Sequence, residues 1–111
     1  KRIMVVADNA GEIVFDKLLV DRLPAGKVVY AVKSGAIVND ATMKDAYESG
    51  MCDLAPVVEN GTAIQGTVLD QCSPDYRRLF DTCDLIISKG QANFETLDTC
   101  SDKIIYFLLR A

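Results

Sequence analysis

The sequence predicts a single α/β domain, because two kinds of hydrophobic periodicity alternate along its 111 residues. Short β-branched runs that are apolar at every position, as at 28–32, predict strands that are buried on both faces. Between these runs, apolar residues recur at helical spacing. This alternation is typical of a parallel sheet with helices on both faces. We therefore expect a three-layer, Rossmann-like sandwich around a mostly parallel sheet of about five strands.

The predicted strands and helices can be placed in order along the chain. Apolar runs predict strands at residues 3–7, 27–32, 56–58, 85–88 and 103–109. Helical spacing or helix-start signals predict helices or helical turns at residues 10–23, 42–49, 66–71, from 73 onward, and 95–97. The clearest boundaries are a capping box that begins at Thr42, the C-terminal Gly50, and a Ser73 cap followed by proline.

The overall charge and hydropathy restrict the classes of partner. The chain has 12 basic and 16 acidic residues, a net charge of −4, and no cluster of Lys and Arg, which argues against nucleic acid. No apolar run approaches the ~20 residues of a membrane span. We expect no signal peptide, because a short strand pattern follows Lys1-Arg2 directly and is interrupted at Asp8-Asn9. We therefore expect a cytoplasmic protein without a membrane partner; nothing in the sequence indicates its oligomeric state.

The reactive side chains restrict the chemistry further. Histidine is absent, which excludes Ser-His-Asp and Cys-His catalysis within this chain. The four cysteines contain no C-x-x-C pair, so we expect reduced thiols and no zinc site. A metal site would have to use oxygen ligands, which favours Mg²⁺, Mn²⁺ or Ca²⁺.

The first candidate motif follows the first predicted strand. Asp8 and Asn9 end that strand, and Gly11 and Glu12 open the next helix. Ligands of open parallel sheets bind at the carboxyl ends of strands. A carboxylate beside an amide carbonyl can face a hard cation there, and the helix N-terminus offers N–H groups to an anion. The alternative is that Asp8 or Asn9 only caps the helix, but capping needs just one such residue.

The second candidate motif follows the second predicted strand, at residues 33–42. If the first two strands are neighbours, Asp40 meets the first motif across the sheet edge. Lys33 and the backbone of Gly35 would then contact phosphate. The alternative is an ordinary Asn39-Asp40 turn.

The third candidate motif follows the fourth predicted strand. Lys89 and Gly90 stand at the end of that strand, and Asn93 and Glu95 add polar groups to the same segment. A lysine followed by glycine at this edge of a sheet is a reasonable phosphate ligand. The alternative is a solvated loop.

Three segments carry a resemblance to a known family. They are Asp-Asn-Ala-Gly-Glu-Ile-Val-Phe-Asp-Lys-Leu-Leu at 8–19, Val-Asn-Asp-Ala-Thr at 38–42 and Lys-Gly-Gln-Ala-Asn-Phe-Glu-Thr-Leu at 89–97. Together they resemble the damage-control phosphatases, once labelled domain of unknown function eighty-nine, a family that includes proteins described as acidic-residue methyltransferases. The resemblance spans nearly the whole chain, in order, and is greatest to the small stand-alone archaeal and bacterial members.

This resemblance implies a metal-dependent phosphatase acting on small phosphorylated metabolites, such as sugar phosphates or damaged by-products. It implies that Asp8, Asn9 and Asp40 are metal ligands, and that Asp8 and Lys89 are catalytic, with Lys89 contacting phosphate. Other polar positions of the motifs are expected to bind substrate: Lys33, Gly35, Asn39, Gly90, Asn93 and Glu95. The expected cofactor is Mg²⁺ or Mn²⁺, with Co²⁺ or Ni²⁺ as further candidates. The attacking group is left open between water and an aspartate.

The resemblance also bears on domain organisation, since family members usually have an additional helical N-terminal domain. This chain begins at Lys1 instead of methionine and ends directly after a strand pattern. We therefore expect residues 1–111 to be one α/β catalytic domain of a longer chain, with a helical domain as its partner.

Three other functions stay open. A haloacid-dehalogenase-type phosphatase needs a second aspartate two residues after the first, where this sequence has Ala10. An S-adenosylmethionine-dependent carboxyl methyltransferase needs a glycine-rich first turn, which is absent here. A non-catalytic metal- or ligand-binding module would use Asp8 and Asp40 only structurally.

Overall fold

A computed structural model of the chain describes residues 2–35, 40–63, 66–98, 100 and 103–109. The strands are β1 (Ile3–Val6), β2 (Val28–Val32), β3 (Val57–Glu59), β4 (Leu85–Lys89) and β5 (Ile105–Leu108). The α-helices are α1 (Ile13–Arg22), α2 (Met43–Ser49), α3 (Pro74–Thr82) and α4 (Gln91–Leu97). Short 3-10 turns occupy Ala10–Glu12, Met51–Asp53 and Leu69–Gln71.

The five strands form one sheet in the order β3-β2-β1-β4-β5. Every neighbouring pair is parallel. The chain therefore leaves β1 at the centre, builds outward through β2 and β3, and returns to the other side of β1 with β4. The predicted parallel α/β architecture is confirmed. The order also brings the carboxyl ends of β1, β2 and β4 together at the middle of one sheet edge.

Successive strand residues alternate between two hydrophobic cores, one on each face of the sheet. Val5 packs in the core that includes Ile13 of α1. Its neighbour Met4 packs in the opposite core, with Tyr76 of α3 and Leu97 of α4. Full burial of such an apolar side chain contributes about 1.5–3 kcal/mol. The two cores explain why the strands are apolar at every position.

Most predicted boundaries lie within two residues of the observed ones, but α4 was underestimated. A helical turn was predicted at 95–97, whereas the helix runs from Gln91 to Leu97. Phe94 and Leu97 are its only large apolar residues, so the apolar spacing shows only its last turn. The helical turn predicted at 66–71 is observed only over its second half, as the 3-10 turn Leu69–Gln71.

The predicted helix caps are confirmed. Thr42 and Asp45 form a capping box, and Gly50 ends α2 in the left-handed conformation, with φ of 85°. The Ser73 hydroxyl accepts a hydrogen bond from the Tyr76 backbone N–H at 3.1 Å, at the start of α3.

The Ser73 cap leads to a first testable prediction. Ser73→Ala removes the acceptor and leaves a helix N–H without its side-chain partner, which should lower the free energy of unfolding by about 1 kcal/mol. Urea denaturation checks this, with an expected lower midpoint and an unchanged slope. An unchanged midpoint would show that the cap does not stabilise the fold.

No helix in the described parts of the chain is both long enough and apolar enough to cross a membrane.

Candidate active site

The candidate site lies where β1, β2 and β4 end. Asp8 comes shortly after β1, Lys33 directly after β2, and Lys89 is the last residue of β4. Because β1 lies between β2 and β4 in a parallel sheet, these three side chains start from the same edge. Lys33 and Lys89 therefore lie at the ends of the two strands on either side of β1, the strand that leads to Asp8.

The segment around Asp40 folds back over this edge. Asn9 and Asp40 form an isolated antiparallel bridge, and the Ala41 N–H donates to the Asp8 carbonyl at 2.9 Å. The Lys33 N–H in turn donates to the Ala41 carbonyl at 3.0 Å. The predicted meeting of Asp40 with the first motif is thus observed. It depends on backbone hydrogen bonds to the ends of β1 and β2.

Asn9 does not act as a helix cap. It occupies the N-cap position of the 3-10 turn, yet its side chain makes no capping hydrogen bond. Instead its Nδ2 donates to Glu12 Oε2 at 3.2 Å, so the amide bonds a side chain of the same turn. The capping alternative does not explain why Asn9 is an asparagine.

Two charged atoms at this edge are buried without a hydrogen-bond partner among the described residues: Lys33 Nζ and Asp40 Oδ2. Lys33 is 5% exposed and Asp40 is 9% exposed. A buried charge without hydrogen bonds is costly, so such atoms mark places where a ligand or a water molecule would bind. Lys33 Nζ suits an anion, and Asp40 Oδ2 suits a cation.

The pKa values at the site reflect the same crowding of charge. Burial, together with the negative charges of Glu12 and Asp40, raises the pKa of Asp8 despite the nearby lysines. Burial lowers the pKa of Lys33, and the Asp40 carboxylate opposes that change. A bound divalent cation would relieve the repulsion between Asp8 and its acidic neighbours.

The donor set fits a hard divalent cation. Asp8 and Asp40 supply carboxylate oxygens and Asn9 supplies an amide oxygen, which are ligands that Mg²⁺ and Mn²⁺ accept. The described residues contain no group of three or more His, Cys, Asp or Glu side chains close enough to hold a metal. Asp8, Asn9 and Asp40 would therefore hold a cation with only two carboxylates and one amide oxygen, and it would need further ligands.

Lys89 is held by two carboxylates of the helix that follows β1. Its Nζ donates to Glu12 Oε1 at 2.9 Å and to Asp16 Oδ1 at 2.6 Å. Burial disfavours the ammonium, but the hydrogen bonds to Asp16 and Glu12 outweigh burial and raise the pKa of Lys89. Lys89 is therefore a charged group with a fixed position.

Gly90 allows β4 to approach Asp8 closely. A Cβ at this position would lie 2.3 Å from Asp8 Oδ2, and the φ of Gly90 is +92°. Any other residue would be strained and would collide with a candidate metal ligand. At Gly35, by contrast, a Cβ would meet the Ala63 Cβ at 3.1 Å and no other described residue within 4 Å.

A cavity of about 430 Å³ opens at this edge of the sheet. Its polar lining comes from Asp8, Glu12 and Lys89, while Phe15 of α1 and the end of β5 contribute an apolar wall. Its volume is within the range of small-molecule binding sites.

The whole chain, residues 1–111, matches the family model described as the damage-control phosphatase ARMT1-like domain. The chain belongs to this family. Its relatives include damage-control phosphatase PH1575 of Pyrococcus horikoshii, which is 40% identical over 100% of this chain and 40% of that protein. A damage-control phosphatase of Archaeoglobus fulgidus is 35% identical over 99% of this chain and 39% of its own length.

The fold comparison agrees with the sequence comparison. A crystal structure of a DUF89 family protein, PH1575 of Pyrococcus horikoshii, superposes with a TM-score of 0.93. At 40% identity, the match covers 99% of this chain and 40% of that one. The chain thus spans about two fifths of the length of the curated relatives that it matches.

The remaining predicted residues of the site lie in different surroundings. Asn93 is buried, and its Nδ2 donates to the carbonyls of Ala7 and Lys89 at 3.1 and 2.7 Å. Its Oδ1 accepts from the Thr67 hydroxyl at 2.7 Å. Asn93 therefore ties the ends of β1 and β4 together from inside. Its binding of substrate stays a prediction.

One other predicted residue stands apart from this network. Glu95 is on the exposed side of α4, and no hydrogen bond or ion pair within the described chain links it to the site. Asn39 lies outside the described residues, so its predicted contact with substrate is not addressed by the structure.

Three residues of the site were not predicted: Glu12, Asp16 and Tyr30. Glu12 stood inside the first motif without an assigned role, and Asp16 follows it by one helical turn, on the same face. That spacing was the available signal. Tyr30 gave no such signal, because a tyrosine in an apolar strand is usually a hydrophobic core residue without a role in a site.

Proposed function

We propose that this chain is the catalytic α/β domain of a metal-dependent phosphatase that hydrolyses phosphomonoesters of small metabolites, such as sugar phosphates or damaged phosphometabolites. The supporting observation is the pair of buried atoms that have no hydrogen-bond partner among the described residues, Asp40 Oδ2 and Lys33 Nζ, near Asp8. The relatives named damage-control phosphatases support the same reaction.

The proposed ligands of the cation are Asp8, Asn9 and Asp40. The cation, Mg²⁺ or Mn²⁺ with Co²⁺ or Ni²⁺ as further candidates, would supply Lewis-acid stabilisation of charge on the phosphoryl group. That charge needs neutralising, because the chain itself is acidic, with a net charge of −4.

The two lysines would act on the phosphoryl oxygens. Lys33 is buried, so its ammonium faces little competition from water, and Lys89 approaches from the opposite strand. Charged donors fixed before the substrate arrives stabilise the developing charge of the transition state without reorganising. The Gly35 and Gly90 backbones and Asn39 are proposed to shape the substrate site around them, while buried Asn93 would hold the ends of β1 and β4 in place.

Phosphate release is the direct test of this function. The protein would be incubated with a panel of sugar phosphates and with p-nitrophenyl phosphate, each with and without Mg²⁺, Mn²⁺, Co²⁺ or Ni²⁺. We expect release that requires a divalent metal. If no phosphate is released with any metal, the proposal is contradicted. Calorimetry with S-adenosylmethionine would then distinguish the methyltransferase alternative from the binding-module alternative.

Metal binding should also be visible as stabilisation. At a concentration about 100 times its dissociation constant, a cation that binds only the folded state contributes about 2.7 kcal/mol. For a domain of this size, that corresponds to a Tm rise of roughly 10 °C. Differential scanning calorimetry with Mg²⁺ or Mn²⁺ measures it.

Two controls separate a specific site from general screening of charge. Sodium chloride at equal ionic strength should leave the Tm nearly unchanged. Asp40→Asn, which removes a carboxylate at nearly constant volume, should suppress most of the Mg²⁺ effect. An equal rise in both proteins would place the metal elsewhere.

A further inference from the structure

Asp16 of α1 is a buried carboxylate beside the candidate site that none of the proposed ligand roles uses. It is 2% exposed, and its two oxygens have different partners. Oδ1 accepts from Lys89 Nζ, and Oδ2 accepts from the Tyr30 hydroxyl, each at 2.6 Å. With both oxygens engaged, the carboxylate has one orientation.

Tyr30 holds Asp16 from the sheet side. It lies in β2 with its side chain fully buried, in the core between the sheet and α1. Burial, followed by the negative charge of Asp16, raises the pKa of Tyr30 far above its usual value, so the hydroxyl remains a donor. The hydrogen bond therefore connects a rigid strand to the carboxylate.

Lys89 is the third member of this chain of contacts. An ammonium has three N–H donors, and Glu12 and Asp16 take two of them. Within the described residues, no hydrogen bond occupies the third, and Lys89 lines the cavity together with Asp8. A lysine side chain is otherwise flexible, so its position depends on these contacts.

We propose that Asp16, itself oriented by Tyr30, is a positioning residue that fixes the Lys89 ammonium so that its remaining N–H binds a phosphate oxygen in the cavity. This inference rests on the proposed function of Lys89 as a phosphate contact. The opposing arrangement is that Asp16 sequesters Lys89, in which case phosphate would have to displace the carboxylate.

Two variants, each with a matched control, distinguish these arrangements. Asp16→Asn removes the charge, and Asp21→Asn makes the same change at an exposed position of α1. Tyr30→Phe removes the donor, whereas Tyr76→Phe removes another buried hydroxyl that has no hydrogen-bond partner among the described residues. Should Asp16→Asn fail to fold, Tyr30→Phe, which lacks a single oxygen atom, carries the test.

The kinetic readout is the hydrolysis of p-nitrophenyl phosphate with the metal that activates the unmodified protein. We expect kcat to fall about 10- to 100-fold in Asp16→Asn and Tyr30→Phe, with KM nearly unchanged, because a displaced ammonium fails mainly in the transition state. The two controls should stay within about 2-fold. A lower KM with equal or higher kcat in Asp16→Asn would overturn the proposal and indicate sequestration.

A second readout follows Lys89 itself and needs no activity. In ¹H–¹⁵N spectra, an ammonium held by two carboxylates exchanges its protons slowly and should give an Nζ resonance. We expect this resonance to weaken or disappear in both test variants and to persist in both controls. If it is unchanged in Asp16→Asn and Tyr30→Phe, the proposal is wrong whatever the kinetics show.

Failure of the proposed phosphatase function can be distinguished from failure of the positioning role of Asp16. If the unmodified protein releases no phosphate from any substrate, that function fails, and calorimetry with inorganic phosphate then decides the positioning role. Binding that is about 10-fold weaker in Asp16→Asn than in Asp21→Asn would support it. Equal or tighter binding in Asp16→Asn would overturn it.

Discussion

Asp8→Asn is expected to lower metal-dependent phosphate release by about 1,000-fold, which corresponds to about 4 kcal/mol of transition-state stabilisation. Asn has nearly the same volume as Asp but has neither its charge nor its second anionic oxygen. Asp8 is the carboxylate that faces both Asp40 and the two lysines. Its loss should therefore weaken cation binding and the arrangement of the phosphate ligands together. Steady-state kinetics at saturating metal measures the effect.

The same variant should not unfold the protein. Since burial and neighbouring carboxylates disfavour the charged form of Asp8, its neutral replacement should leave the metal-free Tm unchanged or raise it. Asp21→Asn, on the exposed side of α1, is the control and should keep full activity. Retention of more than a tenth of the activity in Asp8→Asn would remove Asp8 from the mechanism.

The second large effect is expected at Gly90. Gly90→Ala places a methyl group 2.3 Å from Asp8 Oδ2 and forces alanine to φ of +92°. The backbone strain alone costs on the order of 1–3 kcal/mol, and relief of the collision requires Asp8 or the end of β4 to move. We expect a lower free energy of unfolding by urea denaturation, together with a loss of most phosphate release.

Gly11→Ala is the matched control for Gly90→Ala. Gly11 also lies close to the site, but an added Cβ would meet nothing within 4 Å, and its φ is not in the left-handed region. We expect its stability to change by less than about 1 kcal/mol and its activity to persist. If stability and activity change equally in both variants, the close approach of Gly90 to Asp8 does not explain why this position requires glycine.

The fold was accessible from the sequence because local signals determine it. Strands such as 28–32 are apolar on both faces, and the caps at Thr42 and Ser73 are short-range motifs, so each can be recognised without tertiary information. The seven-residue α4 was partly missed, since its inward face includes the polar Asn93. Burial of that side chain depends on hydrogen bonds to the distant residues Ala7 and Thr67, which periodicity does not reveal.

The site was accessible only in part, for the same reason. The meeting of Asp40 with Asn9 follows from two neighbouring parallel strands whose ends carry polar residues. The double ion pair of Lys89 joins residues more than 70 positions apart. It depends on the sheet order, which puts β4 beside β1, and on the rotamers of long side chains. Neither property has a local sequence signal.

The central claim, a divalent cation held by Asp8, Asn9 and Asp40, is tested most directly by anomalous diffraction from crystals of the protein grown with Mn²⁺ and inorganic phosphate. We expect an anomalous peak at the manganese edge within coordination distance of the Asp8 and Asp40 carboxylates, with phosphate density between it and the two lysines. A fully occupied manganese peak elsewhere, or a bound phosphate at this site with no metal beside it, would contradict the claim.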